Sequence, residues 1–173
     1  EFHSRYPDCE NITFPKKMLE QQPAQIVKRI CGCIQSREPD EIWVEWNGVV
    51  PFSRLQALLL HSSLRGLCRI QKVIHIADGA SIESLLGRTG GALPEQIANS
   101  DFVVVRHVRS ADAFRRIRRL LRGINPGVDI YELKAYNDLY KQLSREKENP
   151  VNFFFLTVIL IVALHVFAGP VLE

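Results

Sequence analysis

From Val151 to Leu172 the chain reads VNFFFLTVILIVALHVFAGPVL, a run without a single Lys, Arg, Asp or Glu. No other feature limits the fold as much, because a stretch of about 20 apolar residues must be hidden from water, in hydrocarbon or in a core. The run is apolar all round rather than on one stripe, which favours a membrane helix over a buried core helix. Asn152, Thr157 and His165 dilute it and Gly169-Pro170 ends it early, so the span is near the short limit and burial in a homo-oligomer is the alternative. His165 reads as a polar residue facing a neighbouring helix rather than as an intramembrane functional group. The charged stretch before the run contains Lys141, Arg145 and Lys147, which by the positive-inside tendency sets the rest of the chain on the cytoplasmic face of the membrane. The expectation is a domain over residues 1–149 and a transmembrane helix over 150–172.

Between Phe14 and Leu143, apolar runs of strand length alternate with segments of helical period. Lys16 to Arg37 reads as helix, with Pro15 at its start and Pro23 as a break. Glu41 to Glu45 is a short buried strand, Ser53 to Leu64 a helix with a leucine stripe, and Cys68 to Ala77 a second strand. Gly87-Arg-Thr-Gly-Gly91 is a flexible loop between helical segments, followed by a strand over Asp101–Val105. Ser110 caps a helix running to Arg122, with Phe114, Ile117, Leu120 and Leu121 on one face and Arg115, Arg116, Arg118, Arg119 and Arg122 on the others. Val128–Tyr131 is a further strand, and a last helix runs from about Lys134 to Leu143. Strands joined by crossover helices imply an α/β fold, a parallel sheet with helices on both faces.

Composition removes several classes. There are 22 Lys and Arg against 19 Asp and Glu, a formal charge of +3, and 46% hydrophobic residues, so a disordered chain and a general polyanion binder are both excluded. Four cysteines, Cys9, Cys31, Cys33 and Cys68, are too few and too irregular for a disulfide framework. Cys31, Cys33 and Cys68 read as small buried residues, and Cys31 and Cys33, two apart on a helix, point in different directions and cannot chelate together alone. His3, Asp8 and Cys9 are the candidate ligands for an N-terminal metal. The arginine-rich helix lacks aromatic partners for base stacking, which argues against nucleic acid and leaves an anionic membrane surface or an acidic partner as its functional reading. The chain opens Glu1-Phe2-His3 and closes Leu172-Glu173, and both ends are expected to be cuts inside a longer reading frame.

In an open parallel sheet, ligands sit beyond the carboxyl ends of the strands. The residues there are Glu45-Trp-Asn-Gly48, Asp78-Gly79 and Arg106-His-Val-Arg109. An acidic residue ending a strand, two residues and then Gly is the arrangement a nucleotide hydrolase uses: the carboxylate holds Mg²⁺ through water and the Gly amide reaches the terminal phosphate. Pro39-Asp40, Glu45-Trp-Asn-Gly48, Ile76-Ala-Asp78-Gly79, Gln96-Ile-Ala-Asn-Ser-Asp101 with Phe102–Val105, and Asn125-Pro126-Gly-Val-Asp-Ile130 follow one another in that order. In this order and spacing the passage from Pro39 to Tyr131 resembles the second half of the CobW-type GTPases, P-loop metallochaperones linked to metal homeostasis.

The resemblance implies a nucleotide-binding site that includes Glu45, Gly48, Asp78 and Arg106, with GTP and Mg²⁺ as ligands. Glu45 would position the metal and the attacking water, and Gly48 would sense the γ-phosphate. It also implies a zinc- or cobalt-type metal, for which Cys9 is the nearest match to the family's C-x-C-C motif. Three departures are plain. The N-K-x-D position holds Arg106-His107-Val108-Arg109, with no carboxylate for the guanine edge; no G-x-x-x-x-G-K-[ST] is present to cradle phosphates; and the cysteine motif is not matched. Hydrolysis is therefore not expected of this chain by itself. Two functions remain: a membrane-tethered CobW-like nucleotide-binding domain, or a non-catalytic pseudo-GTPase module that regulates a membrane transporter. An unrelated response-regulator-like or Rossmann-like domain lacks its acidic cluster or G-x-G-x-x-G.

Overall fold

The computed structural model describes residues 11–39, 41–134 and 156–163, with Glu41 and the last group described through their backbone. The expected break at Pro23 divides the first helical segment into α1 (Lys16–Gln21) and α2 (Pro23–Arg37), Pro23 standing where a missing N–H is harmless. Strand β1 (Glu41–Asn47) follows, then α3 (Phe52–Leu59), β2 (Cys68–Asp78), α4 (Ile82–Arg88), α5 (Ala92–Ala98) and β3 (Phe102–Arg106). Helix α6 (Ala111–Ile124) begins at Ser110, whose hydroxyl accepts from the Ala113 amide at 3.1 Å. Strand β4 (Asp129–Glu132) and strand β5 (Leu156–Ala163) complete the sheet, whose order is β1-β5-β2-β3-β4 with every pairing parallel.

The C-terminal expectation is corrected over Leu156–Ala163. These residues form strand β5, paired in parallel with β1 on one side and β2 on the other, and not a stretch of helix. A parallel strand with neighbours on both sides is apolar along its whole length, so its sequence shows the same unbroken hydrophobicity as a membrane helix. Among the described residues no helix is long and apolar enough to cross a membrane. The remainder of 150–172, and the final helix expected beyond Lys134, lie outside the described residues.

The α/β architecture is present, and side-chain alternation assigns its layers. Ile42, Val44 and Trp46 pack with Met18, Leu19, Ile26, Val27, Phe52, Leu55, Leu58 and Leu59 from α1, α2 and α3. Ala77, Val103 and Val105 pack with Ile82, Leu93, Ile97, Ile117 and Leu121 from α4, α5 and α6. The intervening strand residues Ile74, Phe102 and Val104 point to the other face, where they meet Tyr131 and Leu133. All the described helices thus lie on one side of the sheet, which corrects, for the described residues, the expectation of helices on both faces. The crossovers from β1 to β2, β2 to β3 and β3 to β4 all advance in one direction, and right-handed crossovers that do so leave their helices on the same face.

His75 lies in β2 between these clusters, opposite Val103, fully buried, with neither ring nitrogen hydrogen-bonded among the described residues. Burial makes the imidazolium unfavourable and lowers its pKa from 6.5 to about 4. The unfolded chain therefore takes up this proton first as pH falls. Stability contributed by neutral His75 is complete above about 6.5, declines through the window from 6.5 to about 4, and amounts to about 3 kcal/mol in all. Urea unfolding between pH 4 and pH 7.5 is expected to show a steeper loss of stability on acidification for the native chain than for His75→Leu. Equal slopes for the two proteins would refute the assignment.

Candidate functional site

The carboxyl ends of the parallel strands share one edge of the sheet, and the two adjacent strands β2 and β3 bring the densest polar chemistry to it. Asp78 ends β2 directly opposite Arg106, which ends β3. The Gly79 amide donates to the Arg106 carbonyl at 2.7 Å, fastening the two strand ends together. A Cβ at position 79 would stand 2.9 Å from that carbonyl oxygen and 3.2 Å from methyl groups of Val105 and Val108, so the approach requires glycine. Asp78 Oδ1 accepts from the Ala80 amide at 2.8 Å, which leaves Oδ2 to face His107.

His107 Nδ1 lies 3.3 Å from Asp78 Oδ2, while its Nε2 lies 3.5 Å from a terminal nitrogen of Arg106. The sequence Arg–His–Asp assigns the ring its tautomer: Nδ1–H donates to the carboxylate, and Nε2 is left as the acceptor facing the guanidinium. His107 also has φ 52°, in the left-handed region that few non-glycine residues adopt. That backbone turn swings the imidazole from β3 towards the end of β2. The pair is open to solvent, with side-chain exposures of 60% and 42%, so it is an accessible polar edge rather than a core ion pair.

The Glu45-to-Gly48 segment is placed differently. Strand β1 does not end at Glu45 but continues to Asn47, and Glu45 is exposed on the face opposite the helices. In register Glu45 is level with Ile161 and, through it, with Ile74, four residues before Asp78. At about 3.3 Å per residue and with β5 standing between, Glu45 is some 13 Å lower along the strands and about 10 Å to the side. Asp78, Arg106 and His107 are therefore brought together, and Glu45 is not. Gly48, buried, begins the turn that leads into α3.

That turn is held from across the sheet. Gln96 of α5, itself fully buried, donates through Nε2 to the carbonyls of Val50 at 2.7 Å and Asn47 at 3.3 Å. The Trp46 indole donates to the same Val50 carbonyl, and Asn47 Oδ1 accepts from the Val49 amide. Beside it Glu95 accepts from the Ser53 amide at 2.7 Å, at the exposed first turn of α3. His107 stands in the strand-end segment the sequence points to, but its pairing with Asp78, the role of Glu95 and the clasp made by Gln96 were not legible. The available signal for Gln96 was a polar residue at a core position of its helix, next to Ile97 and three after Leu93.

Among the described residues the thiols build no metal site. Cys68 is buried and its pKa is raised, first by burial and then by the neighbouring Cys31, so it is a poor nucleophile and a poor ligand. Cys31 and Cys33 are half-buried on α2 and not joined in a disulfide, and among the described residues no group of three His, Cys, Asp or Glu could hold a metal ion. His3, Asp8 and Cys9 lie outside the described residues.

Two substitutions test the framework. Gln96→Glu is expected to destabilise more than Gln96→Leu at neutral pH, because a buried carboxylate would face two carbonyl acceptors, and to recover towards pH 4 as it protonates; Gln96→Leu should lose about 1–3 kcal/mol. Gly79→Ala is expected to lose about 1–3 kcal/mol by overpacking against the Arg106 carbonyl. Chemical denaturation checks both, and a neutral effect at either position would refute its assigned role. No protein-family model, curated protein or solved structure matches the chain. Its likeness to the CobW-type GTPases accordingly rests on the short motifs alone.

Proposed function

We propose that this chain is a CobW-like, nucleotide-binding-type domain associated with metal homeostasis, and that it does not hydrolyse nucleotide by itself. The observation that carries the reading is the joined edge of Asp78, Arg106 and His107 at the carboxyl ends of adjacent parallel strands, where α/β sheets take their ligands. Arg106 suits a phosphate or another anionic group, and Asp78 suits a hydroxyl or amino donor. The absence of catalysis follows from two features. The sequence has no lysine-bearing phosphate loop, and Glu45, the expected Mg²⁺-positioning carboxylate, stands some 13 Å lower along the sheet than this edge. A membrane tether would have to come from residues other than Leu156–Ala163, which pair within the sheet.

The second reading, a non-catalytic module that binds a partner protein such as a transporter subunit, draws support from a different surface. Helix α6 carries Arg118, Arg119 and Arg122 without an ion pair among the described residues.

Titration of a fluorescent GTP analogue, and of its ATP counterpart, with and without Mg²⁺ separates the two. The nucleotide reading expects saturable binding that weakens at least about tenfold in Arg106→Ala/His107→Ala and in Asp78→Asn, as expected for loss of charge-assisted contacts. It also expects no phosphate release above the buffer rate, in Glu45→Gln and native chain alike. Binding that ignores these substitutions, or no binding at all, would leave the module reading. Turnover abolished by Glu45→Gln would instead establish an enzyme.

A further inference from the structure

Helix α6 turns Phe114, Ile117 and Leu121 into the core, and its solvent side carries Arg115, Arg118, Arg119 and Arg122. These positions fall at i, i+3, i+4 and i+7, one stripe along about 10 Å of helix. Together with Gly123 they line an open depression on the surface. Nearby acids neutralise only part of the helix: Asp112 pairs with Arg115, and Glu83 with Arg116 at 3.6 Å. Arg118, Arg119 and Arg122 make no hydrogen bond or ion pair among the described residues.

Folding does not require this arrangement. Like charges three and four residues apart repel, each pair by about 0.2–0.5 kcal/mol on an exposed helix. The helix dipole offsets this only for the last turn, which holds Arg122. An external anion lying along the stripe would turn the repulsion into attraction, and a row of guanidinium forks is suited to carboxylates and phosphates in two-point contact.

We propose that the Arg115–Arg118–Arg119–Arg122 stripe docks an acidic segment of a partner protein, with carboxylates repeating over about two helical turns to match the stripe. This names the partner chemistry for the module reading, and it is independent of whether the Asp78–His107 edge binds a nucleotide. An anionic bilayer is disfavoured because the apolar side of α6 is committed to the core and cannot insert. A flat lipid surface would also touch a depression only at its rims. Nucleic acid is disfavoured because the lining has no aromatic residue for stacking and the whole chain carries only +3.

The test measures three probes on the full chain at one ionic strength. They are a labelled helical peptide with Glu at i, i+3, i+4 and i+7, phosphatidylcholine vesicles containing phosphatidylserine, and a short DNA duplex. The acidic peptide is expected to bind and its Gln counterpart is not. Arg118→Glu/Arg122→Glu should weaken binding at least about tenfold, as charge reversal across an interface does, with the circular dichroism spectrum unchanged. The combined substitution Arg115→Lys/Arg118→Lys/Arg119→Lys/Arg122→Lys keeps the charge and removes the forks, and should weaken binding several-fold, less than the reversal. The proposal is overturned if the peptide does not bind, if charge reversal leaves its affinity unchanged, or if vesicles or duplex bind more tightly than the peptide.

Discussion

The side-chain amide of Gln96 holds the two halves of the helix-covered face in register. It is buried on α5, which belongs to the crossover between β2 and β3, yet its hydrogen bonds end on carbonyls of the β1–α3 turn. The helix that delivers it is fixed in turn from below. Asn125, just after α6, donates to the carbonyls of Ile97, Ala98 and Ser100, gathering backbone acceptors at the end of α5. Ser100 closes the same end by donating to the Gln96 carbonyl at 2.7 Å. The third crossover thus supports the second, and the second supports the first turn. Three short polar motifs that look unrelated along the chain are parts of one connected set of hydrogen bonds.

The edge built on this frame is uneven. The pairing of β2 with β3 is set by Asp101, whose amide donates to the Val73 carbonyl while its carboxylate accepts from the Val73 amide at 2.7 Å. With that register fixed, Asp78 and Arg106 arrive together and Gly79 closes the contact between their strands. The other end of the sheet has no comparable convergence: Glu45 is below the edge and on the opposite face from the helices. Any chemistry that needs a carboxylate beside a terminal phosphate is therefore poorly served, whereas anion recognition by Arg106 needs only the residues already joined.

Much of this was legible from local physics. Pro15 and Pro23 mark the two helix starts, Ser110 caps α6 as its position suggests, and the Val-rich stretch before Arg106 is a strand because β-branched residues fill a pleated, buried surface. Residues whose role depends on distant neighbours were harder to read. The motif containing Gln96 is visible in sequence, but not the fact that its amide reaches residues 47 and 50. The left-handed turn at His107 has no local marker of the kind glycine gives. The apolar tail is ambiguous for a sharper reason: hydrophobicity reports that a segment avoids water without saying whether lipid or a pair of strands surrounds it, and over Leu156–Ala163 it is a pair of strands.

The position of β5 also bears on how the sheet comes together in time. The β2–β3–β4 portion is made by two consecutive crossovers, so its contacts are close in sequence and the loops that must close are short. Strand β1 meets β2 only through β5, which arrives from the far end of the described chain. Joining β1 to the rest through the sheet is therefore the step with the greatest entropic barrier. Until it occurs, the backbone edge of β2 is left unpaired, the kind of edge that invites pairing with another molecule.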